Sequence, residues 1–142
     1  KLFRLHVPEL RFWKIKKKYE KIKTKIEEKY KKENVEFVVS DIMNFNEGRY
    51  DYIFIYSAYP HFKDKEKLFE HLYKLLNENG KVIIAHSQSR NEINHVHSKS
   101  DLVKEDLLLP VEDNVRIINK YLSTRTTIDN SEIYYIEAIK NK

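Results

Sequence analysis

Polar side chains gather immediately after the segment Lys81–His86, which has the nearly continuous apolar composition of a buried strand. If a helix begins at Arg90, then Arg90, Asn94 and His97 fall at positions i, i+4 and i+7, on one helical face. A guanidinium, an amide and an imidazole on one face suit the binding of an anionic or hydrogen-bonding ligand. We predict a substrate-binding stripe of these three residues with His86 beside it. The alternative is an exposed polar face.

His61 is a second candidate for chemistry, because it lies in a short loop after the apolar run Tyr52–Tyr56. An imidazole can take a proton from a reacting group or orient that group, which is the task of a general base. We therefore predict a catalytic role for His61. The alternative is that His61 caps the loop ahead of the following helix.

A metal site is a competing interpretation of His86, His95 and His97. His95 and His97 are two residues apart and do not share a helical face. The chain contains no cysteine and no H-E-x-x-H pair of ligands. We predict that no metal is bound.

The elements that would position these residues alternate between strands and helices. We predict strands at 35–39, 52–56, 81–86, 125–128 and 133–139, and helices at 64–77, from about residue 90, and at 111–122. Such alternation predicts an α/β sheet that is parallel in its centre. Gly80 follows the helix at 64–77, where a left-handed C-cap is expected. The strand at 52–56 is almost continuously apolar, which predicts that both of its faces are covered.

The N-terminal part of the chain differs in charge. Residues 1–32 contain thirteen Lys or Arg residues and four Glu. Apolar residues recur from Phe12 to Tyr30 at intervals of three and four, which predicts a long amphipathic helix. A basic segment can bind nucleic acid or a membrane, but Lys is abundant throughout this chain and Arg is scarce, which favours a solvated helix face. We predict that 1–33 is the basic N-terminal segment of one partial domain spanning 1–142.

Ahead of this helix, apolar residues alternate at Phe3, Leu5 and Val7, which predicts a short strand at 2–7. This strand, the long helix and the strand at 35–39 would form a right-handed β-α-β unit with parallel strands.

Composition narrows the class of protein. No apolar run reaches the length of a transmembrane helix, and residues 1–13 lack the apolar core of a signal peptide. The absence of cysteine excludes disulfides. We expect a cytoplasmic protein that does not bind a membrane.

Four segments, taken in order, resemble the C-terminal two thirds of class I S-adenosylmethionine-dependent methyltransferases. They read N-V-E-F-V-V-S-D-I (34–42), R-Y-D-Y-I-F-I-Y-S-A-Y-P-H-F (49–62), L-Y-K-L-L-N-E-N-G-K-V-I-I-A-H (72–86) and Y-Y-I-E-A-I-K (134–140). The resemblance implies a Rossmann-like methyltransferase sheet, mostly parallel with an antiparallel closing strand. It also implies S-adenosylmethionine as the cofactor, a small-molecule acceptor, and ligands beyond the carboxyl ends of the strands.

The resemblance implies roles for particular residues. Asp41 would accept a hydrogen bond from the adenine amino group, and Ile42 would pack on the adenine ring. The alternative for Asp41 is an Asx-type turn at the end of a strand. The loop that contains Ser57 would lie beside the transferable methyl group, where Tyr59 would supply an aromatic wall for the positively charged sulfonium.

The chain departs from the family pattern on its N-terminal side. It contains only two glycines, Gly48 and Gly80, so the glycine-rich loop that lets a backbone approach the methionine part of the cofactor is missing. The first strands are missing or degenerate. We therefore predict methyl transfer that is impaired in this chain as given, with a partner chain or a missing N-terminal part completing the sheet. The alternative is a non-catalytic remnant or interaction module that pairs with another chain.

Overall fold

The computed structural model describes residues 3–6, 20–21, 24–25, 28 and 37–141, and the chain divides into two compact units, Lys1–Asn46 and Glu47–Lys142. In the first unit, β1 (Phe3–His6) and β2 (Phe37–Ser40) pair in parallel. A short 3₁₀ turn, Ile42–Asn44, follows β2. The predicted parallel pairing of 2–7 with 35–39 is confirmed within these bounds.

The long N-terminal helix is described only in part. Residues 20–21, 24–25 and 28 are helical and exposed, and the hydroxyl of Thr24 donates to the carbonyl of Glu20 at 3.0 Å. These positions belong to the polar face of the predicted helix. Its predicted apolar stripe, from Phe12 to Tyr30, lies outside the described residues.

In the described part of the second unit, four strands form one sheet. They are β3 (Tyr50–Tyr56), β4 (Leu76–His86), β5 (Ser123–Asp129) and β6 (Tyr134–Ile139). Their order across the sheet is β3-β4-β6-β5. β3 and β4 are parallel, whereas β6 is antiparallel to both β4 and β5. Three of these four strands therefore point the same way, which confirms the predicted α/β sheet with an antiparallel closing strand.

Three helices accompany this sheet in the described residues: α1 (Lys65–Leu75), α2 (Arg90–Ser98) and α3 (Val111–Ile118). α1 begins where the side chain of Asp64 accepts from the amide of Lys67, and α2 begins at a capping box of Ser89 and Glu92. α1 packs against α3 and β4, and α3 also packs against β5 and β6.

The core of this unit lies between these helices and the sheet. The apolar stripe predicted for the first helix is buried as expected, at Leu68, Phe69, Leu72, Leu75 and Leu76. From the sheet, Val82, Ile84, Ile136 and Ala138 are each 1% exposed. None of the described helices combines the length and apolar composition needed to cross a bilayer.

Gly80 serves a different purpose from the predicted one. The left-handed backbone belongs to Asn79, with φ of 61°, and Gly80 lies inside β4. A Cβ on Gly80 would come within 2.8 Å of the carbonyl oxygen of Asn77 and 2.9 Å of that of Tyr50. The prediction of a left-handed cap at Gly80 is therefore wrong, and glycine is needed there because two backbone segments approach closely.

β3 also differs from its prediction. Its side chains alternate between two faces. Ile55 is buried, but Tyr52, Phe54 and Tyr56 are 57%, 67% and 62% exposed. Among the described residues, the face of β3 that carries Tyr52, Phe54 and Tyr56 is therefore not covered, and the prediction that both faces are covered is wrong. β3 is also the end strand of its sheet in this part of the chain.

Candidate active site

The loop after β3 turns sharply and places His61 near the carboxyl end of that strand. Ser57 adopts a φ of 51°, a left-handed conformation that is uncommon outside glycine, and its amide donates to the carbonyl of Ala85 at 3.0 Å. A 3₁₀ turn, Tyr59–His61, follows, closed by the amide of His61 donating to the carbonyl of Ala58. Backbone strain of this kind is often found at functional sites.

His61 is paired with Asp106, from the segment between α2 and α3. The Nδ1 of His61 lies 2.8 Å from Oδ2 of Asp106, and the two side chains are 26% and 18% exposed. Because a carboxylate can only accept, Nδ1 of His61 carries a proton, and Nε2 keeps a lone pair when the ring is neutral. An imidazole oriented in this way by a carboxylate is arranged to act as a general base.

His97, on α2, lies beside this pair. Its Nδ1 donates to the backbone carbonyl of Asp106 at 2.6 Å, and its ring centre is 5.0 Å from that of His61. Asp106 therefore holds both rings, one through its side chain and one through its backbone. His61, His97 and Asp106 together form the histidine cluster.

His86, the last residue of β4, is 5% exposed and meets the ring of Tyr134 edge-on, with 6.1 Å between the ring centres. Its Nε2 is buried and has no hydrogen-bond partner among the described residues. Burial, and secondarily the charges of His61 and His97, lower the pKa of His86 to about 4. The ring therefore remains neutral at physiological pH.

Lys65 places a positive charge near the cluster. Its Nζ donates to the carbonyl of Phe62 at 2.8 Å and lies 5.1 Å from the centre of the Tyr59 ring. Burial lowers the pKa of Lys65, and the carboxylate of Asp106 acts in the opposite direction. Asp106 therefore has a cationic neighbour as well as two imidazoles.

Arg90, Asn94 and His97 share one face of α2, but the chain itself occupies that face. Nε of Arg90 donates to the carboxylate of Asp129 at 2.9 Å. Asn94 accepts from the amide of Leu108 at 2.8 Å and donates to its carbonyl at 3.0 Å. Arg90 and Asn94 thus hold neighbouring segments, and His97 alone of the three joins the histidine cluster. Substrate binding by this face stays a prediction.

Tyr59 lies in the core and is completely buried. Its hydroxyl donates to Oδ1 of Asn114 at 2.9 Å, and its ring centre is 6.0 Å from that of Phe69. This placement corrects the prediction that Tyr59 presents an aromatic wall to a ligand.

In the first unit, Asp41 caps the turn that follows β2. Its Oδ1 accepts from the amide of Met43 at 2.9 Å, which is the Asx-type turn of the alternative interpretation. Ile42, the first residue of the turn, is half-buried. The adenine-binding roles of Asp41 and Ile42 stay predictions, as does the role of Ser57 beside the methyl group.

Other sites in the described residues are less promising. No group of three or more His, Cys, Asp or Glu side chains there is arranged to hold a metal ion. A depression of about 440 Å³ beside the start of α2 is lined by Ser89, Arg90, Asn91, Glu92, Asp129 and neighbouring residues. The cation that lines it, Arg90, is already paired with Asp129.

Two residues that build this region were missed from the sequence, namely Asp106 and Asn114. Asp106 lies 45 residues from His61, and Asn114 lies 55 residues from Tyr59. No local periodicity links such pairs. The available signal was a polar residue in an apolar setting, because Asn114 shares the inward face of α3 with Val111 and Ile118.

Known proteins resemble this chain in fold. A family model described as a methyltransferase domain matches residues 15–141. The N-methyltransferase NodS of Bradyrhizobium japonicum WM9 covers 99% of this chain and 73% of its own, with 9% identity and a TM-score of 0.61. NodS in complex with S-adenosyl-L-homocysteine covers 85% of this chain and 62% of its own, with 11% identity and a TM-score of 0.61. At such identities the likeness is one of fold.

A closer sequence match is short. Malonyl-[acyl-carrier protein] O-methyltransferase 1 of Ilyobacter polytropus is 42% identical over 50 residues, which are 34% of this chain and 19% of that protein. The matched stretch thus spans about a fifth of the relative's length.

Proposed function

We propose that this chain, which belongs to the methyltransferase domain family, activates a small-molecule acceptor for methyl transfer from S-adenosylmethionine, the methyl donor of such enzymes. The observation that supports this proposal is the His61–Asp106 pair, with 2.8 Å between Nδ1 and Oδ2. It lies after β3, at the edge of the sheet where parallel strands end and ligands of such folds bind. In this proposal His61 is the general base and Asp106 orients it.

The residues of this chain fit one end of the cofactor and not the other. Asp41 and Ile42 supply a carboxylate and an apolar side chain at the end of β2, which suits an adenine. The methionine end needs glycines that let a backbone come close. Gly48, with φ of 77°, is in the segment before β3, and Gly80 lies inside β4, so neither belongs to a glycine-rich loop. We infer that this chain as given binds S-adenosylmethionine weakly.

The chemistry that bound S-adenosylmethionine supplies is an electrophilic methyl carbon, whose bond to sulfur breaks as a lone pair of the acceptor forms the new bond. The residues of this chain remove the proton of the acceptor. Nε2 of His61 takes that proton, and the carboxylate of Asp106 stabilises the resulting imidazolium. His86 and His97 line the acceptor site beside His61.

Replacing His61 tests this assignment. In a His61→Asn variant we expect methyl transfer to slow by about 10²–10⁴-fold, because the amide cannot accept the proton. The apparent KM for S-adenosylmethionine should not change. The assay follows radiolabelled methyl transfer to a panel of small alcohols, amines and carboxylates, at millimolar S-adenosylmethionine to compensate for weak binding.

His95→Asn is the matched control, because His95 is an exposed histidine of α2. An undiminished rate in His61→Asn would refute the base assignment. If the wild-type chain shows no transfer above background, the second candidate is favoured, a non-catalytic methyltransferase-like module that pairs with another chain. The missing glycine-rich loop is the observation behind that candidate.

A further inference from the structure

One residue, Asp106, determines which nitrogen carries the proton in two neighbouring imidazoles. Its carboxylate accepts from Nδ1 of His61 at 2.8 Å, and its backbone carbonyl accepts from Nδ1 of His97 at 2.6 Å. A carboxylate and a carbonyl have no hydrogen to give, so both Nδ1 atoms must be the donors. In each neutral ring, Nε2 is then left as a hydrogen-bond acceptor.

The two imidazole rings that carry these acceptors are neighbours. The ring centres of His61 and His97 are 5.0 Å apart. Within the described residues, neither Nε2 is hydrogen-bonded to the protein. An unprotonated Nε2 is complementary to a hydrogen-bond donor of a ligand.

We propose that the acceptor group of the substrate is a neutral O–H or N–H group that donates its hydrogen to Nε2 of His61, beside the ring of His97, and that it is not a carboxylate. This inference rests on the proposed function and deepens it by naming the substrate class. A neutral O–H or N–H group has a proton to lose when it is methylated, and His61 has the vacant nitrogen to receive it. A carboxylate has no such proton.

The charges around the site point in the same direction. The carboxylate of Asp106 would repel the carboxylate of a ligand. Because a carboxylate can only accept hydrogen bonds, such a ligand could bind the two Nε2 atoms only if both rings were protonated. Two imidazolium rings 5.0 Å apart would repel each other. Lys65 is the cation near Asp106, and its Nζ is held by the carbonyl of Phe62 and the ring of Tyr59. His86 is neutral and adds no positive charge.

The first test reads the protonated nitrogens directly, without any methyl transfer. In the ¹⁵N-histidine-labelled chain at pH 8, above the ordinary range of imidazole titration, we expect Nδ1–H rings at both His61 and His97. Asp106→Ala should convert His61 to a mixture of tautomers and leave His97 unchanged, because His97 is held by the backbone carbonyl. A wild-type spectrum with Nε2–H at either ring would overturn the proposal, whether or not the variant folds.

The second test compares three probes of similar shape: phenol, which has an O–H, anisole, which has none, and benzoate. Phenol should shift the Nε2 resonance of His61 and bind about five to ten times more tightly than anisole or benzoate, which is the ratio that one hydrogen bond supplies. Benzoate binding as tight as phenol, or no shift with phenol, would contradict the proposal. Failure of the proposed function shows instead as absent transfer in the radiolabel assay, which is a separate readout.

Discussion

Tyr59 and His61 are two residues apart in the same 3₁₀ turn, yet they enter two different kinds of polar network. Tyr59 points into the core and donates to Asn114, whose side chain also donates to the hydroxyl of Tyr134 at 2.8 Å and to the carbonyl of Leu109 at 3.2 Å. Tyr59, Asn114 and Tyr134 are all completely buried. We call this tyrosine–asparagine network closed, because both the oxygen and the nitrogen of the Asn114 amide are hydrogen-bonded within the core.

The histidine cluster is partly open. His61 and Asp106 keep 26% and 18% of their side chains exposed, and their hydrogen bonds use only the Nδ1 side of each ring. Burial raises the pKa of both Tyr59 and Tyr134, so the closed network keeps its protons over the physiological range. The difference teaches that a satisfied polar network serves stability, whereas one with unused acceptors is equipped to handle a proton.

The largest expected effect is on the closed network. Asn114→Ala removes the hydrogen-bond partner of two buried tyrosine hydroxyls. Each hydroxyl that is left unsatisfied in the core destabilises the fold by about 1–3 kcal/mol. We expect the free energy of unfolding to fall by about 4 kcal/mol. Urea unfolding followed by circular dichroism measures it.

Asn91→Ala is the matched control, because Asn91 is exposed on α2 and should change the unfolding free energy by less than about 0.5 kcal/mol. A similarly small effect at Asn114 would show that water replaces the lost partner. The contrast between a closed and an open network would then fail.

Much of the second unit could be predicted from the sequence, because its elements follow local periodicity. The stripe that begins at Leu68 recurs at helical spacing and is buried, and the run Lys81–His86 lies within a buried strand. Prediction failed where close approach in three dimensions decides the outcome. Gly80 is required by the carbonyl oxygen of Tyr50, 30 residues away along the chain, and no local pattern reveals that contact.

The candidate site was predicted in the same uneven way. His61, His86 and His97 were identified from their places along the chain. His61 follows β3, His86 is the last residue of β4, and His97 lies on the helix that comes after β4. The partners of Tyr59 and Arg90 come from α3 and β5, so their burial and pairing depend on tertiary packing. Asp106 lies outside any strand or helix, and nothing in its local sequence indicates a partner 45 residues away.

The second prediction concerns pH and His86, a buried imidazole that belongs to neither network. The pKa of His86 is lowered to about 4 from an ordinary value of 6.5, so between pH 6.5 and 4 the unfolded chain binds more protons at this residue than the folded chain. The stability contributed by neutral His86 is therefore complete above pH 6.5 and is lost as pH falls to 4. The loss is about 3 kcal/mol, measured as the difference in unfolding free energy between wild type and His86→Gln at each pH.

Taking this difference removes the contributions of carboxylates that titrate in the same range. His95→Gln, at an exposed position, should give a pH profile parallel to that of the wild type. If His86→Gln is also parallel, His86 can accept a proton in the fold without penalty, and its burial does not oppose its charged form.

The smallest expected effect concerns the segment that carries Asp106 to His61. Asn94 binds the backbone of Leu108 through two hydrogen bonds, at 2.8 and 3.0 Å, and each such bond contributes about 0.5–1.5 kcal/mol. Asn94→Ala should therefore loosen this segment by about 2 kcal/mol, which corresponds to amide exchange at Leu108 that is about 30 times faster. Because the tyrosine–asparagine network does not depend on Asn94, the Asn114 side-chain amide resonances should not shift, whereas the His61 ring resonances should. Unchanged exchange at Leu108, with Asn91→Ala as the reference, would mean that the contact between His97 and Asp106 alone is enough to hold the open cluster in place.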